Sequence, residues 1–411
     1  MNTFASGREL RPLGAFERII DLYMYRNPVQ FSLAVECGRV VSESEVKVAL
    51  SRLQTVHPLL AAMIDRSGIR PVFRHTDGAI GVRIALDSTW QEQAAVEQSM
   101  AIAPSPGPLA RVVLLPDAPT PERTTIVLTF SHQVTDGRGA LRAAHDLLAA
   151  LEGRDICVRN LPRAQEDLMR QLDTEPAPSE RIEAAGGEHP EPRPAARLRP
   201  FDENTLPAVE SAELDEATTL RIRRSARSRS CTVQSMLCAA TALTLFECSD
   251  RQRVRINVPI DLRRAVGLED DVAIRFTATC VVLCRPSLPD FWELAAAAAA
   301  QLAAARTRDV TRNSVLALAS LDVGDADDAE QAMLAATNAD IEITNLGIAD
   351  SEADNDLEQA IWGPVMSTQV DHEQILGVIT RGGRLRMTMT SHEAVAGLLS
   401  GIVAQLTSAV S

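Results

Sequence analysis

The chain has 411 residues, of which 45% are hydrophobic and 23% are charged, with a formal net charge of −14. These fractions are typical of a folded globular protein, and the acidic excess argues against nucleic acid as the main partner, because binding phosphates needs a basic face. Seven cysteines form no CxxC pair, so we expect reduced thiols and no metal site. The N-terminus lacks the apolar stretch of a signal peptide, and nothing later is long enough to span a bilayer, so we expect a cytoplasmic protein without a transmembrane segment.

The length of the chain exceeds that of one ordinary core, and its composition changes near the middle. Residues 173–208 contain seven prolines, which are incompatible with a helix or a central strand. We therefore predict an N-terminal lobe (residues 1–172), a proline-rich linker or crossover (173–208) and a C-terminal lobe (209–411).

The first half combines helical and strand patterns. Ser42 and Glu45 form a capping box, and apolar residues then recur at helical spacing. Residues 125–131, with the sequence TIVLTFS, indicate a buried strand. The segment ALRAAHDLLAALEG further on predicts a helix with one apolar face. His132 therefore lies at the end of a strand, and Asp136 lies in the turn before a helix.

The second half of the chain also combines helical and strand patterns. In the segment RVRINVPIDL, apolar residues alternate with polar ones as in a half-buried strand, and Pro259 indicates either the end of that strand or a sheet edge. The other predicted elements are helices around 214–224, 232–245 and 293–305, strands at 273–284 and 340–345, a hairpin at 375–390 turning at Arg381-Gly382-Gly383, and a helix from Glu393 to about Ser408.

The side chain of His132 has the chemistry of a general base. The unperturbed pKa of histidine is ~6.5, and such a base contributes about 10² to 10⁴ in rate. A strand end exposes the ring at a cleft, and Gly137 and Gly139 allow a ligand to approach the backbone. Asp136 either orients the imidazole, as in a Ser-His-Asp triad, or turns toward an arginine such as Arg263. The tight turn predicted here favours the arginine.

The segment SHQVTDG resembles the HxxxDG motif of the chloramphenicol-acetyltransferase-like superfamily. This superfamily includes nonribosomal-peptide condensation domains, alcohol acyltransferases and polyketide-associated acyltransferases. Four more segments are similar to family motifs and follow the family order: VHPLLAAMID at 56–65, GPLARVVLL at 107–115, NVPIDLRR at 257–264 and ITNLG at 343–347.

The resemblance implies an α/β fold: an α+β sandwich of two lobes with mixed sheets and an active-site tunnel between them. It makes His132 the general base and Asp136 the second residue of the catalytic motif, held by Arg263 and Asp261. The other implied site residues are Gly137, which leaves room beside the acyl thioester, Asn345, which lines the tunnel or braces the motif loop, and Ser131, which replaces the first histidine of the common HHxxxDG form. A hydrolase nucleophile at Ser131 is disfavoured, because adjacent strand residues point to opposite faces.

The activity that the resemblance implies is O-acyl transfer. An acyl group would move from a thioester of CoA or of a phosphopantetheinyl carrier protein to a hydroxyl of a natural product or a complex lipid, with the thioester as co-substrate and no bound cofactor. By motif, the polyketide-associated acyltransferases of secondary metabolism are the most similar branch. The family has a complete site in one chain, so we expect a monomer. Amide-forming condensation and a non-catalytic carrier-protein docking module are the alternatives.

A group of arginines lies on the helix predicted around residue 220. Its members are Arg221, Arg223, Arg224, Arg227 and Arg229. Helical spacing distributes these side chains around the axis, so a solvated surface is the first interpretation. Binding of the phosphates of CoA or phosphopantetheine is the alternative.

Overall fold

The computed structural model describes residues 7–116, 122–172, 196–268, 271–288, 290–349 and 357–411. The strands are β1 (Glu9–Pro12), β2 (Gln30–Cys37), β3 (Ala62–Asp65), β4 (Val72–His75), β5 (Gly81–Ile84), β6 (Ala110–Pro116), β7 (Thr124–Ser131), β8 (Ala208–Leu214), β9 (Arg253–Asp261), β10 (Phe276–Cys284), β11 (Ile341–Ile348), β12 (Glu358–Ser367), β13 (Ile375–Arg381) and β14 (Arg384–Ser391). The α-helices are α1 (Ala15–Tyr23), α2 (Glu43–Val56), α3 (Trp90–Ser99), α4 (Gly137–Leu151), α5 (Gln165–Gln171), α6 (Glu216–Ser228), α7 (Val233–Glu247), α8 (Phe291–Ala305), α9 (Arg308–Ala319), α10 (Ala326–Thr337) and α11 (Leu398–Ser408).

The described strands form three sheets. A small sheet has the order β1-β4-β3, a five-stranded sheet has the order β12-β2-β7-β6-β5, and a six-stranded sheet has the order β10-β9-β11-β13-β14-β8. Parallel and antiparallel pairs occur together in the two larger sheets. The predicted mixed α/β fold is thus confirmed.

The two larger sheets do not follow the predicted division of the chain strictly. Strand β12 comes from the C-terminal half, yet it pairs antiparallel with β2 in the sheet of the N-terminal half. Most of the predicted linker, residues 173–195, lies outside the described residues. Just after it, Leu198 forms an isolated bridge with Val370. The second half therefore contributes a strand to the first sheet.

Local signals explain where several elements begin. The Ser42 hydroxyl accepts a hydrogen bond from the Glu45 backbone, and the Glu45 carboxylate accepts one from the backbone of Ser42, which forms the predicted capping box of α2. Thr232 caps α7 in the same way. In β14, which is the second strand of the predicted hairpin, Leu385, Met387 and Met389 are buried. These residues belong to the core of the C-terminal half.

Two boundaries differ from the sequence prediction. Residues 208–214 form the edge strand β8. The helix predicted around 214–224 begins only after Asp215, whose carboxylate caps it by accepting a hydrogen bond from the Thr218 backbone N–H. The last helix begins at Leu398 rather than at Glu393, because Gly397 precedes it in the left-handed region (φ 75°). Among the described residues, no helix has the length and apolar character needed to cross a membrane.

The six-stranded sheet opens between β9 and β11. These parallel strands pair only at Ile256 with Ile341 and at Asn257 with Glu342. Beyond Asn257, β9 pairs with β10 alone, and Pro259 lies in this stretch, opposite Ala278. A proline lacks the N–H that a second neighbouring strand would need, so its position suits the opening. The gap between β9 and β11 lies beside the loop that carries His132 and Asp136.

Candidate active site

The loop between β7 and α4 holds the histidine motif. Strand β7 ends at Ser131, and α4 begins at Gly137. Asp136 is the N-cap of α4, where one oxygen of its carboxylate accepts a hydrogen bond from the Gly139 backbone at 2.8 Å. The His132 backbone N–H donates to the Val29 carbonyl at 3.0 Å. The loop is therefore anchored at both ends.

The imidazole of His132 lies between two aromatic rings from different sheets. Its centroid is 5.1 Å from that of Phe31 on β2 and 5.4 Å from that of Phe276 on β10. The Nδ1 atom is buried and makes no hydrogen bond of good geometry with a described residue. Burial lowers the pKa of His132 below its ordinary value, and the negative charge of Asp136 offsets part of that shift. The ring is therefore neutral at pH 7, as a general base must be.

Asp136 faces an arginine, as the tight turn predicted. The guanidinium of Arg263 donates to both carboxylate oxygens of Asp136, each at 3.0 Å, and the Arg275 backbone N–H adds a third contact at 2.7 Å. Both side chains are almost fully buried. Although burial alone would raise it, Arg263 holds the pKa of Asp136 below its ordinary value. Asp136 is thus an ionised, fully paired carboxylate that fixes the loop.

A second layer of contacts orients Arg263. One nitrogen donates to Asp261 at 2.8 Å, and another donates to the carbonyls of Asp271 and Ala273. Asp271 also pairs with Arg275 at 2.8 Å. The sequence predicted the contact with Asp261, because it belongs to the PIDLRR segment. It did not predict Asp271 or Arg275, which have no motif of their own.

A cavity of about 320 Å³ lies in front of His132, and we call it the central chamber. Residues from both halves of the chain line it. They include Phe16, Ile20, Val29, Phe31, His132, Gly137, Arg138, Asn257, Pro259, Asp261, Phe276, Ala278, Leu318, Met333, Glu342, Thr344, Asn345, Leu346 and Met366. The lining is mostly apolar, and the volume is in the range of small-molecule sites.

Two wider cavities adjoin the central chamber. A cleft of about 1470 Å³, here called the arginine cleft, shares Arg138, Asp261 and Asn345 with it. A third cavity of about 860 Å³, here called the acidic mouth, shares Thr337, Glu342 and Thr368 with it. The cleft and the mouth share no lining residue with each other, so they border different parts of the chamber wall. Of these three cavities, His132 lines the central chamber alone.

The two outer cavities differ in charge. The described lining of the arginine cleft has seven arginines and three aspartates, whereas that of the acidic mouth has four arginines and five carboxylates. In the cleft, Arg264, Arg306 and Arg308 are exposed and form no ion pair with a described residue. Only the cleft therefore has a net positive lining.

The remaining predicted site residues lie in three different settings. Asn345 lines the chamber, and its side-chain oxygen accepts a hydrogen bond from the Gly347 backbone at 2.8 Å. Gly137 also lines it, but a Cβ there would lie 2.4 Å from Leu346, so the space beside this glycine is used by a protein side chain. Ser131 is fully buried, does not line the chamber, and donates to Gln133 at 2.9 Å. Ser131 is therefore not positioned to contact a substrate in the chamber.

The arginines of α6 stay away from all three cavities. Arg221, Arg223, Arg224, Arg227 and Arg229 are exposed, and none lines the chamber, the cleft or the mouth. Arg229 stacks on the ring of Trp292 at 4.2 Å. This arrangement agrees with the solvated-surface interpretation.

Comparison with known proteins gives one family and several related folds. Residues 203–351 match the family model described as phthiocerol/phthiodiolone dimycocerosyl transferase C-terminus. A search of curated protein sequences gives no match. Among solved structures, polyketide synthase associated protein 5 from Mycobacterium tuberculosis is 16% identical, with a TM-score of 0.68 and coverage of 98% of this chain and 99% of that one. The epimerization domain of the third module of tyrocidine synthetase B is 13% identical, with a TM-score of 0.67 and coverage of 100% and 97%.

An O-acetyltransferase has the same fold. Trichothecene 15-O-acetyltransferase TRI3 from Fusarium sporotrichioides is 14% identical, with a TM-score of 0.62 and coverage of 98% of this chain and 95% of that one. Identities this low establish the architecture, and the family model adds sequence evidence in the second half. As the motifs predicted, the chain is similar to the chloramphenicol-acetyltransferase-like superfamily: part of its second half matches the transferase family model, and its fold is that of the solved condensation-domain and polyketide-associated structures.

Proposed function

We propose that this protein is an acyltransferase that moves an acyl group from a thioester of CoA or of a carrier protein to the hydroxyl of a small molecule or lipid. The observation that supports this proposal most directly is that His132, whose pKa burial lowers, lines a chamber that borders two cavities of different charge. We infer that two substrates reach this base from the two bordering cavities. The trichothecene O-acetyltransferase with this fold adds support for the reaction class.

The proposed reaction is direct transfer. The Nε2 atom of His132 takes the proton of the acceptor hydroxyl while its oxygen attacks the thioester carbonyl. The tetrahedral intermediate then collapses, the C–S bond breaks, and the leaving thiolate receives the proton from the imidazolium. Asp136 lies near enough to raise the pKa of His132, so its charge stabilises the imidazolium of the intermediate state.

The charge difference between the two outer cavities favours one direction of entry. CoA and phosphopantetheine both carry phosphates, which arginines bind well. Arg264, Arg306 and Arg308 supply unpaired positive charge in the arginine cleft. We therefore assign the thioester donor to the cleft and the acceptor to the acidic mouth. A relative with this fold, the starter condensation domain of rhizomide synthetase, was solved in complex with C8-CoA and Leu-SNAC.

The test is thioester turnover in the whole protein. Octanoyl-CoA and acetyl-CoA are incubated with alcohol and amine acceptors, free thiol is followed, and products are identified by mass spectrometry. We expect ester formation that His132→Ala reduces by about 10²- to 10⁴-fold. His75→Ala, a histidine outside the three cavities, is the matched control and is expected to keep its activity.

Each other outcome points to a different conclusion. Turnover that survives His132→Ala unchanged excludes His132 as the base. Amide products formed in preference to esters identify the condensation alternative. Absence of thiol release with every donor and acceptor, in a protein that still binds octanoyl-CoA, favours the docking module.

A further inference from the structure

Glu342 is the one glutamate on the described wall of the central chamber, and its strand leads directly to the histidine loop. Glu342, Thr344 and Leu346 alternate along β11 and all line the chamber, as the two-residue period of a strand requires. Leu346 reaches the histidine loop, because it touches Gly137. Glu342 also lines the acidic mouth, so it stands where that mouth joins the chamber.

The carboxylate of Glu342 has neutral partners only. The side-chain amide of Asn257 and the hydroxyl of Thr344 each donate to it at 2.8 Å. It forms no ion pair with any residue that the structure describes. The charge of Glu373, which is half-buried, repels that of Glu342. Burial raises the pKa of Glu342 above its ordinary value. Within the described part of the chain, no cation therefore pairs with the Glu342 carboxylate.

The spacing of Glu342 and Leu346 along β11 gives a length scale for the chamber wall. Leu346 lies four residues after Glu342, which corresponds to about 13 Å at the usual rise per residue. A molecule that spans the chamber from the histidine loop to Glu342 therefore has two polar ends and an apolar middle. The apolar walls between them, which include Met333, Met366 and Leu318, suit such a middle.

We propose that Glu342 is a specificity-determining residue that binds a second hydrogen-bond-donating group, an ammonium or a hydroxyl, on the acceptor. This inference rests on the proposed function and adds a chemical class to it. The acceptor is an amphiphile with a second polar group about 13 Å from the reacting hydroxyl. The phosphate-bearing donor is not the ligand of Glu342, because a carboxylate repels phosphate and the arginines lie at the other cavity.

The proposal predicts selection between acceptors of equal length. The probes are 1-octanol, octane-1,8-diol and 8-aminooctan-1-ol, each with octanoyl-CoA at pH 7. An unmatched methyl end leaves Glu342 buried without its ligand, whereas a polar end forms a hydrogen bond to it. We expect KM for the diol and the amino alcohol to be about tenfold lower than for 1-octanol, with similar kcat.

Two variants separate the role of charge from that of hydrogen bonding. Glu342→Leu is expected to remove the preference for both polar acceptors over 1-octanol. Glu342→Gln is expected to keep the preference for the diol and to lose that for the amino alcohol. Glu210→Gln, which changes an exposed carboxylate of β8 outside the three cavities, is the matched control.

The outcomes distinguish this proposal from the one on which it rests. Transfer to all three acceptors that needs His132 but shows no end-group preference overturns the role of Glu342 and keeps the acyltransferase. Absence of transfer to any acceptor counts against the acyltransferase itself. In that case, calorimetric binding of 8-aminooctan-1-ol still decides the role of Glu342: equal affinity of wild type and Glu342→Leu contradicts it, and at least tenfold weaker binding to the variant supports it.

Discussion

Asp136, which is buried, and Glu342, which is half-buried, are two carboxylates on the wall of the same chamber, and of the two only Asp136 pairs with a cation that the structure describes. Asp136 receives both branches of the Arg263 guanidinium, and its pKa is lowered. Glu342 receives an amide and a hydroxyl, and its pKa is raised. Burial disfavours the charged form of both carboxylates. For Asp136 the charge and hydrogen bonds of Arg263, together with two backbone N–H donors, outweigh this effect, whereas the neutral donors to Glu342 do not.

This difference separates a structural acid from one that is available to a ligand. A carboxylate that is fully paired inside the protein gains nothing from a substrate cation, whereas one without a cation gains a partner when a ligand arrives. Asp136 therefore holds the loop of His132, and Glu342 is free to select what enters.

Removal of the cation from Asp136 is expected to have the largest effect. In Arg263→Ala the Asp136 carboxylate stays buried with its backbone N–H donors but without its cation, and the loss of a buried pair's partner costs about 3–5 kcal/mol. Glu342→Gln is expected to change the free energy of unfolding by less than about 1 kcal/mol, because it removes a buried charge and keeps a group that can hydrogen-bond. Urea unfolding measures both. Equal costs for the two variants would contradict the contrast.

The pH dependence of transfer reports on the base beside Asp136. Burial lowers the pKa of His132, and a general base acts in its neutral form. With 1-octanol as acceptor, kcat/KM is therefore expected to be constant from pH 8 down to about pH 6.5 and to fall tenfold per pH unit only below the lowered pKa. A fall that begins above pH 6.5 would mean that burial does not dominate the environment of His132.

Much of the histidine end of the chamber could be predicted from the sequence, because its signals are local. The capping box at Ser42 and Glu45, the apolar run of β7 and the DG turn each occupy a few consecutive residues. The pair between Asp136 and Arg263 is distant in sequence, yet both residues belong to motifs that the family resemblance had already identified. A spacing of four residues brings His132 and Asp136 together only on a helix, and a tight turn is predicted here. The sequence therefore favoured a pair between Asp136 and an arginine.

The other end of the chamber could not be predicted in the same way. Glu342 faces the cavity because β9 and β11 diverge after Asn257. The separation of two strands that are distant in sequence cannot be predicted from the hydrophobic pattern of either strand. The insertion of β12 beside β2 is equally non-local. The sequence carries one local signal for Glu342: a lone acid between Ile341 and Ile343 is unusual in a strand whose neighbouring side chains are buried. An acidic residue in such an apolar strand is a reasonable basis for predicting a binding site.

The contrast between the two ends extends to the cavities outside them. The double variant Arg264→Ala/Arg308→Ala removes two unpaired charges from the arginine cleft, and we expect KM for octanoyl-CoA to rise about fivefold to tenfold at low salt and less at high salt. KM for the N-acetylcysteamine thioester of octanoate, which has no phosphate, is expected to stay the same. Arg223→Ala/Arg224→Ala on α6 is the control. A rise with both thioesters would assign these arginines to the protein structure instead of the phosphates.

The smallest effect is expected at Ser131, which is buried and hydrogen-bonded but faces away from the chamber. Its hydroxyl donates to Gln133, whose amide in turn donates to Asp21 at 2.6 Å, so its contacts lie in a polar network behind the strand. The alternation of side chains along β7 requires this, since His132 points to the opposite face. Ser131→Ala is expected to lower the free energy of unfolding by about 1 kcal/mol and to change kcat/KM by less than about twofold. A loss of activity comparable to that of His132→Ala, at unchanged stability, would return Ser131 to the site and would mean that burial in a paired network does not exclude a residue from catalysis.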